Sequence, residues 1–225
     1  MKTVAIIGAG QRGQDIYANF IKNHSEMGKV VAVVEPNDFR RETLVREHNI
    51  PQENIFTNWD DFFKREKLAD LAIISTLDRL HYEPTMKALD KGYNILLEKP
   101  MSINKEECVD MVKKAEDKGL LLMVCHVLRY TPFFTKLKEI IDSGEIGKVV
   151  NIQHNENVGA FHMAHSFVRG NWRNSDETSP IILQKSCHDM DILSWLVDDE
   201  CESISSFGEL SFFNNDNKPE GAADR

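Results

Sequence analysis

The sequence predicts an α/β protein whose first half is a doubly wound parallel sheet and whose second half is a partial domain of another kind. Three observations carry this. Short runs that are apolar throughout, such as "TVAIIG", "KVVAVVE" and "DLAIIST", alternate with amphipathic or charged segments of helical length. Strands that are apolar on both faces belong in parallel sheets covered by helices on both sides. After Cys125 that alternation stops. The boundaries predicted are 1–124 for the first domain and 125–225 for the second.

Taken in order, "TVAIIGAG" is a strand ending in glycine, and the helix after it carries Ile16, Phe20 and Ile21 on one face. "KVVAVVE" is the second strand, with a charged helix through Arg40 to Glu47. "NIFT" is a short strand, and a small helix covers Trp59 to Phe63. "DLAIIST" leads to a helix from about Tyr82 to Lys91, which Gly92 stops at C′. "NILLE" follows. Asn104 is the N-cap of the next helix, with Glu107 three residues on as its capping-box partner, and Cys108, Val112 and Ala115 form its apolar stripe. Gly119 ends it, and "LLLMVC" is the last strand of the half. Beyond it, Thr131 caps a helix with Pro132 in its first turn. "KVVNIQHNENV" reads as a long strand, a helix runs from near His188 through Trp195, and "SISSFGELSFF" reads as a strand. Two strands do not make a stable sheet, so more strands are expected downstream of the sequence given.

"GAGQRG" sets Gly8, Gly10 and Gly13 in G-x-G-x-x-G spacing, with Gln11 and Arg12 between them. The loop follows a strand, opens a helix and begins a β-α-β unit. Gly8 permits the tight turn, Gly10 lets the backbone approach a pyrophosphate, and Gly13 lets helix pack on strand. The helix start adds free N–H groups and the positive end of a dipole. Glu35 closes the second strand, 22 residues after Gly13. A carboxylate there accepts bonds from ribose hydroxyls and repels a 2′-phosphate. NAD is therefore the expected cofactor, with Arg40 and Arg41 nearby leaving NADP open.

Composition removes other classes. Of 225 residues, 41% are apolar, enough for a core. The formal charge is −9, from 36 acidic and 27 basic side chains, which argues against nucleic acid as a partner. No apolar run approaches the roughly 20 residues of a membrane span. Four cysteines without CxxC spacing read as reduced thiols of a cytoplasmic protein, and no metal site is expected.

The fifth strand ends in "EKP", putting Glu98 and Lys99 at the carboxyl edge of the sheet, where ligands bind in open α/β folds. Ser75 and Thr76 follow the fourth strand on the same edge, where small hydroxyl residues suit a backbone lying against a dinucleotide, and both are expected at the cofactor. The glycine loop, "ISTLDRLHYEPTMKAL", "EKP" and "CHDMDILSWL", in this order, resemble the Gfo/Idh/MocA oxidoreductases, and the resemblance covers essentially the whole chain. It implies a Rossmann domain plus a C-terminal α/β domain with an open, mainly antiparallel sheet. It also implies NAD(P)-linked oxidation or reduction of a CH–OH group in a sugar, inositol or similar polyol. By resemblance Lys99 is the active-site lysine, and a partly desolvated lysine beside a cationic ring is suited to handle a hydroxyl proton. Glu98 is expected on the cofactor side, where it pairs with Lys99 or holds the loop.

His188 matches the histidine of the family's H-x-x-D helix start, with Asp191 as the acid. An imidazole titrates near neutrality and suits proton transfer. His188 also shares a helical face with Ile192, Trp195 and Leu196, so a packed core histidine is the alternative, and Asp189 and Asp191 also read as first-turn acids. Many relatives carry aspartate four residues before the histidine; here the residue is Gln184, followed by Lys185. Gln cannot relay a proton, so either His188 and Lys99 share the acid–base work while Lys185 binds substrate, or the substrate class differs. Arg129 and Tyr130 follow the last Rossmann strand and are expected at the substrate. "FHMAHSFVRGNWR" reads as a loop whose His165, Trp172 and Arg173 suit sugar or acidic-sugar binding.

The leading expectation is an NAD(P)-dependent oxidoreductase of a sugar or polyol, a homo-oligomer when full length. The alternatives are an NAD-dependent glycosidase using transient oxidation, and a non-catalytic dinucleotide-sensing regulator.

Overall fold

The structure, a computed structural model, describes residues 1–218, 220 and 221. It divides into two units. Unit 1 comprises Met1–Val127 and Ser175–Cys187; unit 2 comprises Leu128–Asn174 and His188–Arg225.

Unit 1 is built on β1 (Lys2–Ile7), β2 (Gly28–Val34), β3 (Ile55–Phe56), β4 (Leu71–Ile74), β5 (Asn94–Leu97) and β6 (Leu122–Val124). The strands form one parallel sheet in the order β3-β2-β1-β4-β5-β6. The order reverses at β1, as in a Rossmann sheet. Its helices are α1 (Asn19–Asn23), α2 (Asp38–His48), α3 (Trp59–Lys64), α4 (Tyr82–Asp90) and α5 (Lys105–Asp117). The two-residue alternation of a strand sends Ala5 and Ile7 to one face, with Phe62, Tyr93 and Met111. Val4 and Ile6 go to the other, with Ala18, Leu44 and Ile73. All these side chains are buried, which is why the strands read as continuous apolar runs.

The strand register carries the functional consequence. Ile7 pairs with Val34 and Ile74, Ile74 with Leu97, and Leu97 with Val124. The next residue of each strand therefore falls in one row along the carboxyl edge: Glu35, Gly8, Ser75, Glu98 and Cys125. Main-chain bonds of 2.9 Å hold that row: Gly8 N donates to Val34 O, Ser75 N to Ile7 O, Glu98 N to Ile74 O and Cys125 N to Leu97 O.

The first helix departs from expectation. Ile16 and Phe20 are about half exposed, while Gly13 and Ala18 are buried and Tyr17 and Ile21 pack beside them. Residues Arg12–Ala18 are wound in wide i→i+5 turns before α1. That winding rotates the buried face away from a 3.6-residue period. In α5, Met111 rather than Val112 joins Ala115 in the core. Asn104 caps that helix as expected, but Glu107 bonds the Ser102 hydroxyl instead of the cap.

Unit 2 contains α6 (Pro132–Asp142), capped by Thr131, a short α7 (Ala160–His162) continued by wide turns over Met163–Val168, and the later part of α8 (Ile181–Val197), whose first residues belong to unit 1. Residues 148–158 and 203–213, expected as strands, are not strands here, and no strand occurs among the described residues of unit 2. A strand exists only where a neighbour completes its hydrogen-bond ladder. The expected loop around His162 and His165 is instead helical, and α8 begins at Ile181 rather than near His188. No helix among the described residues is long and apolar enough to cross a membrane.

Candidate active site

The glycine loop is closed by contacts that tolerate no side chain. Gly8 has φ +93°, and a Cβ on it would lie 2.8 Å from the Ser75 and Thr76 backbone. A Cβ on Gly13 would lie 2.0 Å from Gly8 O and 2.7 Å from Ser75 Oγ. Ser75 Oγ itself donates to Gly8 O at 2.7 Å and is buried, so Ser75 fastens the loop. Gly10 is different: a Cβ there meets nothing within 4 Å. Its open side is the room a pyrophosphate needs, beside a helix start at Gln11 that no side chain caps.

Glu35 is buried, accepting from Ala9 N at 2.7 Å through Oε2 and from Asn37 N at 2.9 Å through Oε1. Each oxygen retains a lone pair for a ribose hydroxyl. Arg41 is committed to the Glu35 and Pro36 carbonyls and to Asp38. The open Gly10 face, the uncapped helix start and the Glu35 carboxylate fit a bound dinucleotide.

Glu98 is buried between the loop and Lys99. Its Oε1 accepts from Tyr17 OH at 2.5 Å and lies 3.8 Å from Arg12 Nε; its Oε2 accepts from Lys99 N at 3.1 Å. Tyr17 OH also lies 3.0 Å from Cys125 Sγ. Burial, with Cys125 and Glu98 adding to it, raises the Tyr17 pKa, and burial pushes the Cys125 thiol up to about 11. Tyr17 was not singled out from sequence. The available signal was its place four residues after Gly13, one turn along the helix that opens at the cofactor loop.

Lys99 Nζ donates to Gln184 O at 2.9 Å and to Gln184 Oε1. Burial lowers its pKa; Cys187 and Glu98 oppose the shift, whereas Lys185 and Arg12 add to it. The Lys99–Pro100 bond is cis. Two further residues hold this edge. Buried His81 sets its ring nitrogens 2.9 Å from Pro100 O and 3.2 Å from Thr76 O. Buried Asp78 accepts from Ser179 N at 3.2 Å and from its hydroxyl, while Arg79 reaches Ser175 O at 2.6 Å. These bonds explain why residues 175–187 belong to unit 1.

In unit 2, Arg129 is engaged by protein. Nε donates to Asp191 Oδ2 at 2.8 Å and a terminal nitrogen to Oδ1 at 2.6 Å, with Trp195 stacked 5.9 Å from the guanidinium. The Asp191 bond raises the Arg129 pKa. Arg129→Lys is expected to lower stability by about 1 kcal/mol, since an ammonium cannot reproduce a two-bond fork. Denaturant midpoints of Arg129→Lys and Asp191→Asn, singly and together, check this, and additive losses would contradict a coupled pair. Tyr130 is exposed. His165 and Trp172 line one cavity of about 310 Å³ with Ser166, Arg169, Gly170 and Asn171. Arg173 bonds Gly170 O at 3.4 Å. His154 Nε2 bonds buried Asp189 at 2.8 Å. His188 lies in α8, four residues after Gln184. None of the four cysteines is joined in a disulfide.

Comparison with known proteins gives these residues a setting. The chain is 29% identical over 210 residues to the 2,7-anhydro-N-acetylneuraminate hydratase of Mediterraneibacter gnavus, covering 92% of this chain and 53% of that protein. It is 27% identical over 210 residues to the scyllo-inositol 2-dehydrogenase (NAD(+)) of Bacillus subtilis, covering 92% of this chain and 57% of that one. It thus spans about half the length of the curated relatives it matches. Among solved structures, the scyllo-inositol dehydrogenase of Lactobacillus casei with bound NAD(H) and scyllo-inositol superposes with a TM-score of 0.78 at 22% identity, over 88% of this chain and 56% of that one. The fold is therefore shared. The profile of the oxidoreductase family with an NAD-binding Rossmann fold matches residues 2–126, and the C-terminal domain profile of the same family matches 134–224. With more than half of its length under the first of these, the chain belongs to the Gfo/Idh/MocA oxidoreductase family, and unit 1 carries that family's NAD-binding Rossmann fold.

Proposed function

We propose that the protein carrying this chain moves a hydride between NAD and a CH–OH carbon of a sugar, sugar derivative or polyol, with Lys99 handling the hydroxyl proton. One observation carries the reading: a half-buried lysine, its pKa lowered by desolvation, stands at the same strand edge as the glycine loop. Gly8, Gly10, Gln11, Arg12 and Gly13 would hold the cofactor's phosphates, Glu35 its ribose, and Ser75, Thr76 and Glu98 the shape of the loops around it. When bound, NAD supplies the hydride acceptor. As the carbon gives up hydride, the hydroxyl proton must leave, and the neutral amine of Lys99 is the group to take it. His188 is kept as a second proton carrier on the family resemblance. Tyr130, His165, Trp172, Arg173 and Lys185 remain the proposed substrate contacts, while the fork on Asp191 makes Arg129 a weaker one.

The relatives named above support a polyhydroxylated ring as substrate: two inositol dehydrogenases and a hydratase of an anhydro-sialic acid. None is named for glycosidic cleavage, so the glycosidase alternative has less support. A cytoplasmic homo-oligomer without nucleic-acid or membrane partners completes the reading. The test is a panel of inositols, sugars and sugar acids with the full-length protein and NAD, followed by NADH absorbance and product mass. Net NADH with a product two hydrogens lighter supports the proposal. A product differing by one water without net NADH would replace it with the hydratase reading. Binding of NAD without turnover of any member would favour the regulator.

A further inference from the structure

Gln184 is the residue that departs from the family pattern, and it is also the residue that holds the Lys99 amine. Both hydrogen bonds from Nζ end on it, one on its carbonyl at 2.9 Å and one on its side-chain Oε1. Both acceptors are neutral, and Gln184 is buried. No carboxylate pairs with Lys99 among the described residues. The charged and titratable groups around it do not repair this. Glu98 is engaged by Tyr17 OH at 2.5 Å and lies 3.8 Å from Arg12. Lys185, next to Gln184, repels an ammonium. Cys187, one turn on, lies with its Sγ 3.7 Å from Gln184 O and would favour an ammonium only as a thiolate. An ammonium here is partly desolvated and has no carboxylate bonded to it, only the more distant Glu98, while an amine can lie in the same place and donate the same two bonds.

We propose that Gln184 is a positioning residue that sets the proton state of Lys99, holding it as a neutral amine ready to accept a substrate proton. A carboxylate at 184 would hold the same nitrogen by the same geometry but fix it as an ammonium, suited to donate rather than accept. The choice of amide over acid at this one position thus selects which half of the acid–base work Lys99 does. This rests on Lys99 being the proton acceptor in the reading above, but its first test does not need turnover.

The experiment is an NMR titration of the chain carrying ¹³C-labelled lysine side chains, with the Lys99 signal assigned by its loss in Lys99→Met. In the wild-type chain Lys99 is expected to titrate below the other lysines. In Gln184→Glu, which keeps the shape and adds the charge, its midpoint is expected to rise by roughly one to three pH units. In Gln184→Met, which removes Oε1 without adding charge, it should not rise. Titration of wild-type Lys99 together with the surface lysines would overturn the proposal, as would an unmoved midpoint in Gln184→Glu. A rise in both variants would also overturn it, showing loosened packing instead of charge. In the full-length enzyme the acid limb of the kcat/KM profile should move up in parallel for Gln184→Glu. A shifted Lys99 midpoint without turnover of any substrate would leave this inference standing and reject the proposed function alone.

Discussion

Lys99→Met is expected to lower kcat of the full-length enzyme by about 10²–10⁴-fold, the usual contribution of a placed acid–base group, while NAD affinity changes little. Lys99 Nζ binds Gln184, not the glycine loop, so the cofactor cradle does not depend on it. Steady-state NADH production and NADH fluorescence titration measure the two quantities. Unchanged turnover would remove Lys99 from the mechanism. The same variant has a stability signature. Burial lowers the Lys99 pKa in the fold, so as pH falls below the ordinary lysine value the unfolded chain takes up a proton that the folded chain resists. Stability is therefore lost through the window between the ordinary value and the lowered one, and the loss is complete below the lower limit. Lys99→Met lacks this penalty. Its Tm relative to wild type should be higher at neutral pH than at a pH above the ordinary lysine value. A difference independent of pH would show that Lys99 titrates as a solvated lysine.

The second large effect separates two glycines that the motif treats alike. Gly13→Ala puts a Cβ 2.0 Å from the Gly8 carbonyl oxygen, where only backbone can yield. Overpacking of this kind costs about 1–3 kcal/mol or more, so Tm should drop by several degrees and NAD affinity should fall with the distorted loop. Gly10→Ala places its Cβ in open space, so folding should be nearly unchanged. NAD affinity should still fall at least about tenfold, a loss of about 1.4 kcal/mol, because the methyl occupies the side from which the pyrophosphate approaches. Thermal unfolding and calorimetric NAD titration of both variants check this. A Gly10→Ala chain that binds NAD like wild type would show that the dinucleotide does not lie against this loop.

The two variants also show what a linear motif can and cannot say. G-x-G-x-x-G spacing marks three places where a side chain is unwelcome. It does not say that Gly8 and Gly13 are closed by Ser75 while Gly10 is open outward. Ser75 read as a cofactor contact, but its hydroxyl serves the loop. Glu98 read as facing the cofactor, but its carboxylate joins Tyr17 and Arg12 to the Lys99 backbone. Arg129 read as a substrate group, but it closes a fork on Asp191. In each case the residue type and its strand edge were legible, and the partner was not. The partners lie 67, 81 and 62 residues away, and nothing local encodes them.

Sequence by itself determined the doubly wound sheet, the order and carboxyl ends of its strands, the caps at Asn104 and Thr131, and the positions of the glycine loop and Lys99. All of these follow from local periodicity and from backbone preferences of single residues, which act within a few positions of the chain. Only the tertiary structure decided the buried face of the first helix, the helical state of residues 160–168, the want of a ladder at 148–158 and 203–213, and the Lys99–Gln184 bond. Each of these depends on which distant group completes a hydrogen bond or fills a contact. That is settled when strands take their register and bring Glu35, Gly8, Ser75, Glu98 and Cys125 into one row.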